Sequence, residues 1–132
     1  MAELADVVFD CRHPASLARF WAAVLDGYEV APYDETELAR LRVNGIDDLE
    51  DDPTVLVEAV GRRPRLWFQG VPEPKVVKNR VHLDLLAADV DAEVARLVAL
   101  GATVIADHRA AGGLVVLTDP EGNELCLAPR LL

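Results

Sequence analysis

The chain has 132 residues, enough for one domain that buries about 70% of its unfolded surface, so it needs neither a disulfide nor a structural metal merely to stay folded. Apolar residues make up 52% of it and charged residues 27%, a mixture that excludes intrinsic disorder over most of its length. Thirteen basic against twenty-three acidic residues give a net charge of −10, which repels phosphate backbones and anionic headgroups and argues against a nucleic-acid or membrane-surface role.

The two cysteines, Cys11 and Cys126, each lie in an apolar run, the usual setting of a reduced, buried thiol. The first six residues lack the basic start and apolar stretch of a secretory signal, and no apolar run approaches a membrane span. The expectation is a cytoplasmic protein.

Val7-Val8-Phe9 reads as a short strand ended by Arg12-His13-Pro14, and proline suits the first position of a helix. Leu17, Phe20, Trp21, Val24 and Leu25 then form a core-facing helical stripe, with Gly27 placed to end it in a left-handed turn. Tyr28 to Val30 starts a second strand. Tyr33 to Asp52 is irregular and acidic and reads as a solvated excursion with one helical turn near Glu37 to Leu41. Thr54 to Val60 and Arg65 to Val71 form a hairpin around Gly61-Arg62-Arg63-Pro64. Val71-Pro72-Glu73-Pro74-Lys75 cannot pair as a regular strand and connects two halves.

The second half opens with a strand from Val81 to Leu86. Asp89 caps a helix carrying Val90, Val94, Leu97 and Val98, and Gly101 stops it. Thr103 to Ala106, Gly113 to Leu117 and Asn123 to Leu127 are three further strands, the last entered through the turn Asp119-Pro120-Glu121-Gly122-Asn123. Both halves therefore read β-α-β-β-β, and a shift of 76 residues superposes Asp6 on His82, Val7 on Leu83, Phe9 on Leu85 and His13 on Asp89. Side chains alternate across a strand, so Val7, Phe9, Val81, Leu83 and Leu85 should face the helices. Asp6, Val8, Asp10, His82, Asp84 and Leu86 should face the other way, giving each half-sheet one polar wall.

This pattern resembles the glyoxalase, bleomycin-resistance and extradiol-dioxygenase superfamily, whose architecture is the vicinal oxygen chelate fold. The resemblance covers nearly the whole sequence. It rests on the doubled unit, on Pro14-Ala15-Ser16-Leu17-Ala18-Arg19-Phe20-Trp21 leading to Leu25-Asp26-Gly27-Tyr28, on Lys78-Asn79-Arg80-Val81-His82-Leu83-Asp84-Leu85, and on the closing Asp119 to Leu127. The nearest subgroup is the short glyoxalase-like proteins common in actinobacteria. What the resemblance implies is an α+β fold with two β-α-β-β-β modules in tandem forming a cleft-enclosing curved mixed sheet. Module 1 would span about 1–71, the connector 72–79 and module 2 about 80–132. A small-molecule ligand and a homodimer are implied with it.

In the metal-dependent members of that superfamily four side chains meet in the cleft, one from the first and one from the last strand of each module. Carried over by position, Asp6 and His82 take the first-strand places, and Cys126 takes the last-strand place where the family usually has Glu. Gln69 is the candidate by parity for the remaining place, with Glu58 second. Such a set suits zinc or iron only if the sulfur is deprotonated and open to the cleft; manganese and nickel are the other metals to test, and no metal at all is the alternative. Glu124 shares the face of Cys126 and is the candidate catalytic carboxylate, as ligand or general base. Trp67 offers an apolar wall to a ring-containing ligand, and Asp10, Asp84 and Glu58 complete the polar lining.

Each of these residues also has a plain structural reading. His82 can be a hydrogen-bonded strand histidine, Asp6 a solvated end group, Cys126 an inert thiol and Glu124 an exposed strand residue. His13 reads as a helix-start group. His108 and Arg109 precede a glycine pair, Gly112-Gly113, that lacks the ending of a phosphate loop and reads as a hairpin tip or cleft-edge lid. The sequence thus supports a glyoxalase-like enzyme in which a divalent metal polarises vicinal oxygens, of lyase, isomerase or dioxygenase type. The alternative is a metal-free small-molecule binder or antibiotic-sequestering protein; a pure interaction domain has only the acidic loop in its favour.

Overall fold

Strand β1 (Asp6–Cys11) ends just before helix α1 (Pro14–Val24), whose first residue lacks the amide hydrogen that a helix start leaves unused. In the computed structural model, which describes residues 1–131, these elements begin the first of two compact units, Met1–Pro74 and Lys75–Leu132. β2 (Glu29–Val30), α2 (Glu35–Val43), a 3-10 turn at Leu49–Asp51, β3 (Thr54–Glu58) and β4 (Arg65–Gly70) complete it. The strands lie in the order β1-β4-β3-β2, with β1 parallel to β4 and the other pairs antiparallel.

Helix α1 buries Leu17, Phe20, Trp21 and Val24, the stripe read from periodicity, while Leu25 forms the C-cap. The helix stops at Val24, and Gly27 makes the following turn at φ 77°, a region open to glycine at no steric cost. Phe9 stacks on Phe68 of β4 with ring centroids 5.0 Å apart and tilts against Trp21 at 5.2 Å. This aromatic cluster joins the two parallel strands to the helix. As alternation requires, Val8 and Asp10 are exposed on the opposite face.

The acidic excursion holds more structure than one helical turn. Asp34 accepts the Glu37 N–H as the cap of nine-residue α2, with Glu35 and Glu37 in its first turn and Arg40 and Arg42 in its last, each charge matched to its end of the helix dipole. Only Leu41 of α2 is buried, so no apolar stripe announces the helix.

The second unit contains β5 (Leu83–Ala87), α3 (Val90–Leu100), β6 (Thr103–Asp107), a 3-10 turn at Arg109–Ala111, β7 (Val115–Thr118) and β8 (Glu124–Pro129). Its order is β5-β8-β7-β6, again with the first strand parallel to the last. Asp89 caps α3 by accepting the Ala92 N–H. Two expectations are corrected: β5 starts at Leu83, leaving Val81 76% exposed instead of packed on the helix, and the buried stripe of α3 is Val90 and Leu97, with Val98 46% exposed. The turn before β8 is built around buried Asp119, which accepts the N–H groups of Glu121 and Asn123. Gly113 follows the 3-10 turn because a Cβ there would sit 2.7 Å from His108 Cβ.

Both units thus carry the β-α-β-β-β plan, with α2 inserted between the second and third strands of the first, and each has its own four-stranded mixed sheet. Among the described residues no helix is long and apolar enough to cross a membrane. Removing the ring at the centre of the first module tests its packing: Phe68→Ala should cost about 3–5 kcal/mol, read from the urea unfolding midpoint at unchanged slope. A loss below about 1 kcal/mol would contradict a closely packed Phe9, Trp21 and Phe68 cluster.

Candidate functional site

The parallel register of β5 and β8 sets Asp84 directly opposite Cys126, between the pairs Leu83 with Leu125 and Leu85 with Leu127. Leu125 and Leu127 are fully buried, so alternation turns Cys126 towards the other face of the sheet together with Asp84. His82 lies two residues before Asp84, just ahead of the strand, and its Nδ1 is 2.9 Å from Asp84 Oδ1. Ligand atoms of His82, Asp84 and Cys126 all fall within 4.8 Å of one another. The histidine and aspartate are open to solvent, whereas Cys126 is 8% exposed.

Burial, reinforced by the neighbouring Asp84 carboxylate, pushes the Cys126 thiol above its ordinary range, while Lys78 opposes the shift more weakly. A protonated, buried thiol is a poor nucleophile, and no imidazole nitrogen is engaged with it here; His82 binds Asp84 instead. The set does match a metal: imidazole nitrogen, carboxylate oxygen and sulfur are the donors of zinc and iron sites, and three of them leave coordination positions for substrate. Asp84, read from the sequence as cleft lining, is the residue that completes this group.

The other candidates have different partners. The Asp6 carboxylate accepts from Arg65 Nε and Nη2 at 2.8 and 3.0 Å and from the Trp67 indole N–H at 3.2 Å. Arg65 holds it below the usual carboxylate range, and the same guanidinium lies over the Trp67 ring at 5.8 Å. With three donors already on it, Asp6 is an ion-pair brace instead of an open ligand. Glu124 accepts from Lys75 Nζ at 2.8 Å and from the Asn79 N–H at 3.1 Å, and Lys75 holds it ionised below its ordinary range. It therefore tethers the segment ahead of β5 to β8. Gln69 and Asp10 face each other in register on β4 and β1, both exposed. Glu58 is half-buried at the end of β3.

The first unit also contains a cavity of about 510 Å³, walled by α2, β3 and β4 and lined by Tyr33, Arg40, Asp52, Leu56, Glu58 and Trp67 among others. Asp52, only 1% exposed, fixes its roof: it accepts from the Tyr33 hydroxyl at 2.8 Å, from Arg40 at 3.2 Å and from the Thr54 N–H at 3.0 Å. Burial first, and then Asp52, raise the Tyr33 hydroxyl well above its ordinary range. Sequence reasoning missed Asp52, Tyr33 and Arg40 because Asp52 ends an acidic run. The signal that could have found it is its Asp-Pro pair before a strand, the pattern also seen at Asp119-Pro120.

Two measurements test this geometry. Cys126 should alkylate slowly with iodoacetamide at mildly alkaline pH, and Asp84→Asn should speed it several-fold by peptide mass mapping; an unchanged rate would deny the contact between carboxylate and thiol. For Glu124 the folded state favours the ionised form, so its stabilisation is complete above pH 4.5, its ordinary value, and fades as pH falls through the lower folded value. The stabilities of the wild type and Glu124→Gln should therefore differ at neutral pH and converge in acid; a constant gap would rule out the tether.

Solved structures share the architecture over nearly the whole chain. The fosfomycin resistance protein FosX from Mesorhizobium loti superposes with a TM-score of 0.67 at 13% identity, covering 100% of this chain and 94% of that one. A glyoxalase/bleomycin resistance protein/dioxygenase family enzyme from Burkholderia phytofirmans PsJN gives 0.67 at 19%, covering 98% and 100%. A FosX mutant from Listeria monocytogenes, complexed with Mn(II) and 1S,2S-dihydroxypropylphosphonic acid, gives 0.68 at 12%, covering 100% and 95%. At such identities the likeness establishes the fold, and no curated protein sequence matches. Residues 6–128 match the family described as a glyoxalase-like domain. With its tandem modules, the chain belongs to this glyoxalase-like family of the vicinal oxygen chelate superfamily.

Proposed function

We propose that the protein is a glyoxalase-like enzyme acting on a small molecule, with a divalent metal held by His82, Asp84 and Cys126. The observation that carries this reading is the convergence of three chemically different donors, from two neighbouring parallel strands and the residue just ahead of one of them, within 4.8 Å. When bound, the metal would polarise vicinal oxygens of the substrate, the chemistry of lyases, isomerases and dioxygenases of this superfamily. The Mn(II) complex of the Listeria FosX supports a divalent ion on this fold.

The chain's own residues set the conditions. His82 and Asp84 share one hydrogen bond at the surface, which they can release to act as donors. Cys126 has to lose a proton that burial and Asp84 retain, so uptake of the ion should strengthen as pH rises. Glu124, already bound to Lys75, holds β8 in register and leaves proton transfer to other groups. A cytoplasmic location, which two buried cysteine thiols favour, and a homodimer belong to the same proposal.

A second reading, a metal-free protein that holds or sequesters a small molecule, is favoured by the cavity beside Trp67 in the first unit. The two readings separate by metal analysis of protein purified under reducing conditions and dialysed against zinc, iron, manganese or nickel. About one ion per chain is expected, lost in His82→Ala and Asp84→Asn, with bound ion shielding Cys126 from alkylation. No uptake of any of the four ions would sink the metal-dependent mechanism and leave the binding protein.

A further inference from the structure

We infer that the cavity of the first unit is a binding site for an organic cation that carries an aromatic ring. The inference rests on the ligand-holding reading of that cavity and adds the chemical class of its occupant. It is independent of the donor group in the second unit, because every lining residue lies between Ala31 and Trp67.

Size comes first. About 510 Å³ is within the range of roughly 300–1,000 Å³ that encloses metabolite- and drug-sized ligands. Its apolar wall includes Pro32, Val55, Leu56 and the half-buried indole of Trp67. That indole is held in position from outside the cavity: its N–H is bound to Asp6, and Asp6 is fixed by Arg65. A ring set in this way presents a rigid aromatic surface at little entropic cost to the complex.

Charge then selects the ligand. Four carboxylates line the cavity, those of Asp34, Glu37, Asp52 and Glu58, against the single guanidinium of Arg40. Arg40 is already engaged by Glu37 and Asp52, and Asp34 is occupied as the cap of α2. Glu58 is the exception. Among the described residues its carboxylate makes no hydrogen bond or ion pair; Arg65, which acts on it through space, is itself hydrogen-bonded to Asp6 through Nε and Nη2. A half-buried carboxylate with no hydrogen-bonding partner, on the same cavity wall as an indole, is the combination that recognises a cationic ring, through direct attraction and through contact with the aromatic surface. An anionic ligand would meet the same carboxylates as repulsion, in a chain whose net charge is −10.

Three probes of similar size separate the possibilities: N-methylquinolinium as cation, quinoline at mildly alkaline pH as its neutral counterpart, and 2-naphthoate as anion. Binding is followed by calorimetry and by tryptophan fluorescence, with Trp67→Phe assigning the signal, since Trp21 is buried in the core. The cation is expected to bind about tenfold more tightly than quinoline, with naphthoate weaker than both, and its advantage should shrink as salt is raised. Glu58→Gln should reduce the cation's affinity by about threefold or more and leave that of quinoline unchanged, so the neutral probe reports that the variant is folded. Glu58→Asp should keep the order. Equal or tighter binding of quinoline or naphthoate, or an unchanged preference in Glu58→Gln, would overturn the inference while the ligand-holding reading stood. Failure of all three probes to bind would overturn both.

Discussion

The parallel pairing of the first strand with the last, made once in each unit, is the constraint on which the rest depends. A parallel pair cannot be closed by a tight turn, so the first unit spends two helices and two antiparallel strands between its partners, and the second one helix and two such strands. The register of that pair then decides which side chains meet. In one unit it sets Asp6 against Arg65, and in the other Asp84 against Cys126. Because the strand period is two, a slip of one residue in β8 would turn Leu125 and Leu127 out of the core and Cys126 into it, at a cost of several buried leucine contacts. The core thereby specifies the open face.

The same strand pair is used differently in the two units. In the first, the carboxylate at the start of β1 accepts three hydrogen bonds and pins the arginine and the indole of β4. In the second, His82 at the equivalent place in the repeat makes a single solvent-facing contact to Asp84. A two-pronged ion pair of this kind is a poor source of metal ligands, because the arginine has to be displaced first. A lone imidazole-carboxylate hydrogen bond exposed to water is readily exchanged. The duplication has thus diverged into one closed and one open strand start. The closed one stabilises a cavity wall, and the open one presents donors.

What the sequence disclosed was local. The α1 stripe, the Asp89 cap and the Asp119 turn are each written within a few neighbouring residues, so spacing alone exposes them. Helix α2 is held by a cap, matched end charges and one buried leucine, and offers no apolar period to read. The partners of Asp6 lie about sixty residues along the chain, and those of Cys126 on a strand some forty residues earlier, as no local pattern can reveal. Strand alternation put His82, Asp84 and Asp6 on polar faces. Register, a property of the folded sheet, decided that Asp84 joins His82 and Cys126 and that Asp6 joins Arg65.

Cys126 bears on which ion the proposed site would take. At the last-strand place where the superfamily usually carries Glu, a carboxylate would bring a hard oxygen already ionised at neutral pH. The thiol brings a soft donor, but burial and Asp84 both favour its protonated form. An ion that binds there must supply enough affinity for sulfur to expel that proton, which zinc and iron do and manganese does poorly. Replacing oxygen by sulfur would therefore move the proposed site towards softer metals and make its occupancy depend on pH. The hard ion in the Listeria FosX complex is accordingly a guide to the fold's capacity for metal and a poor guide to which ion the proposed site would take.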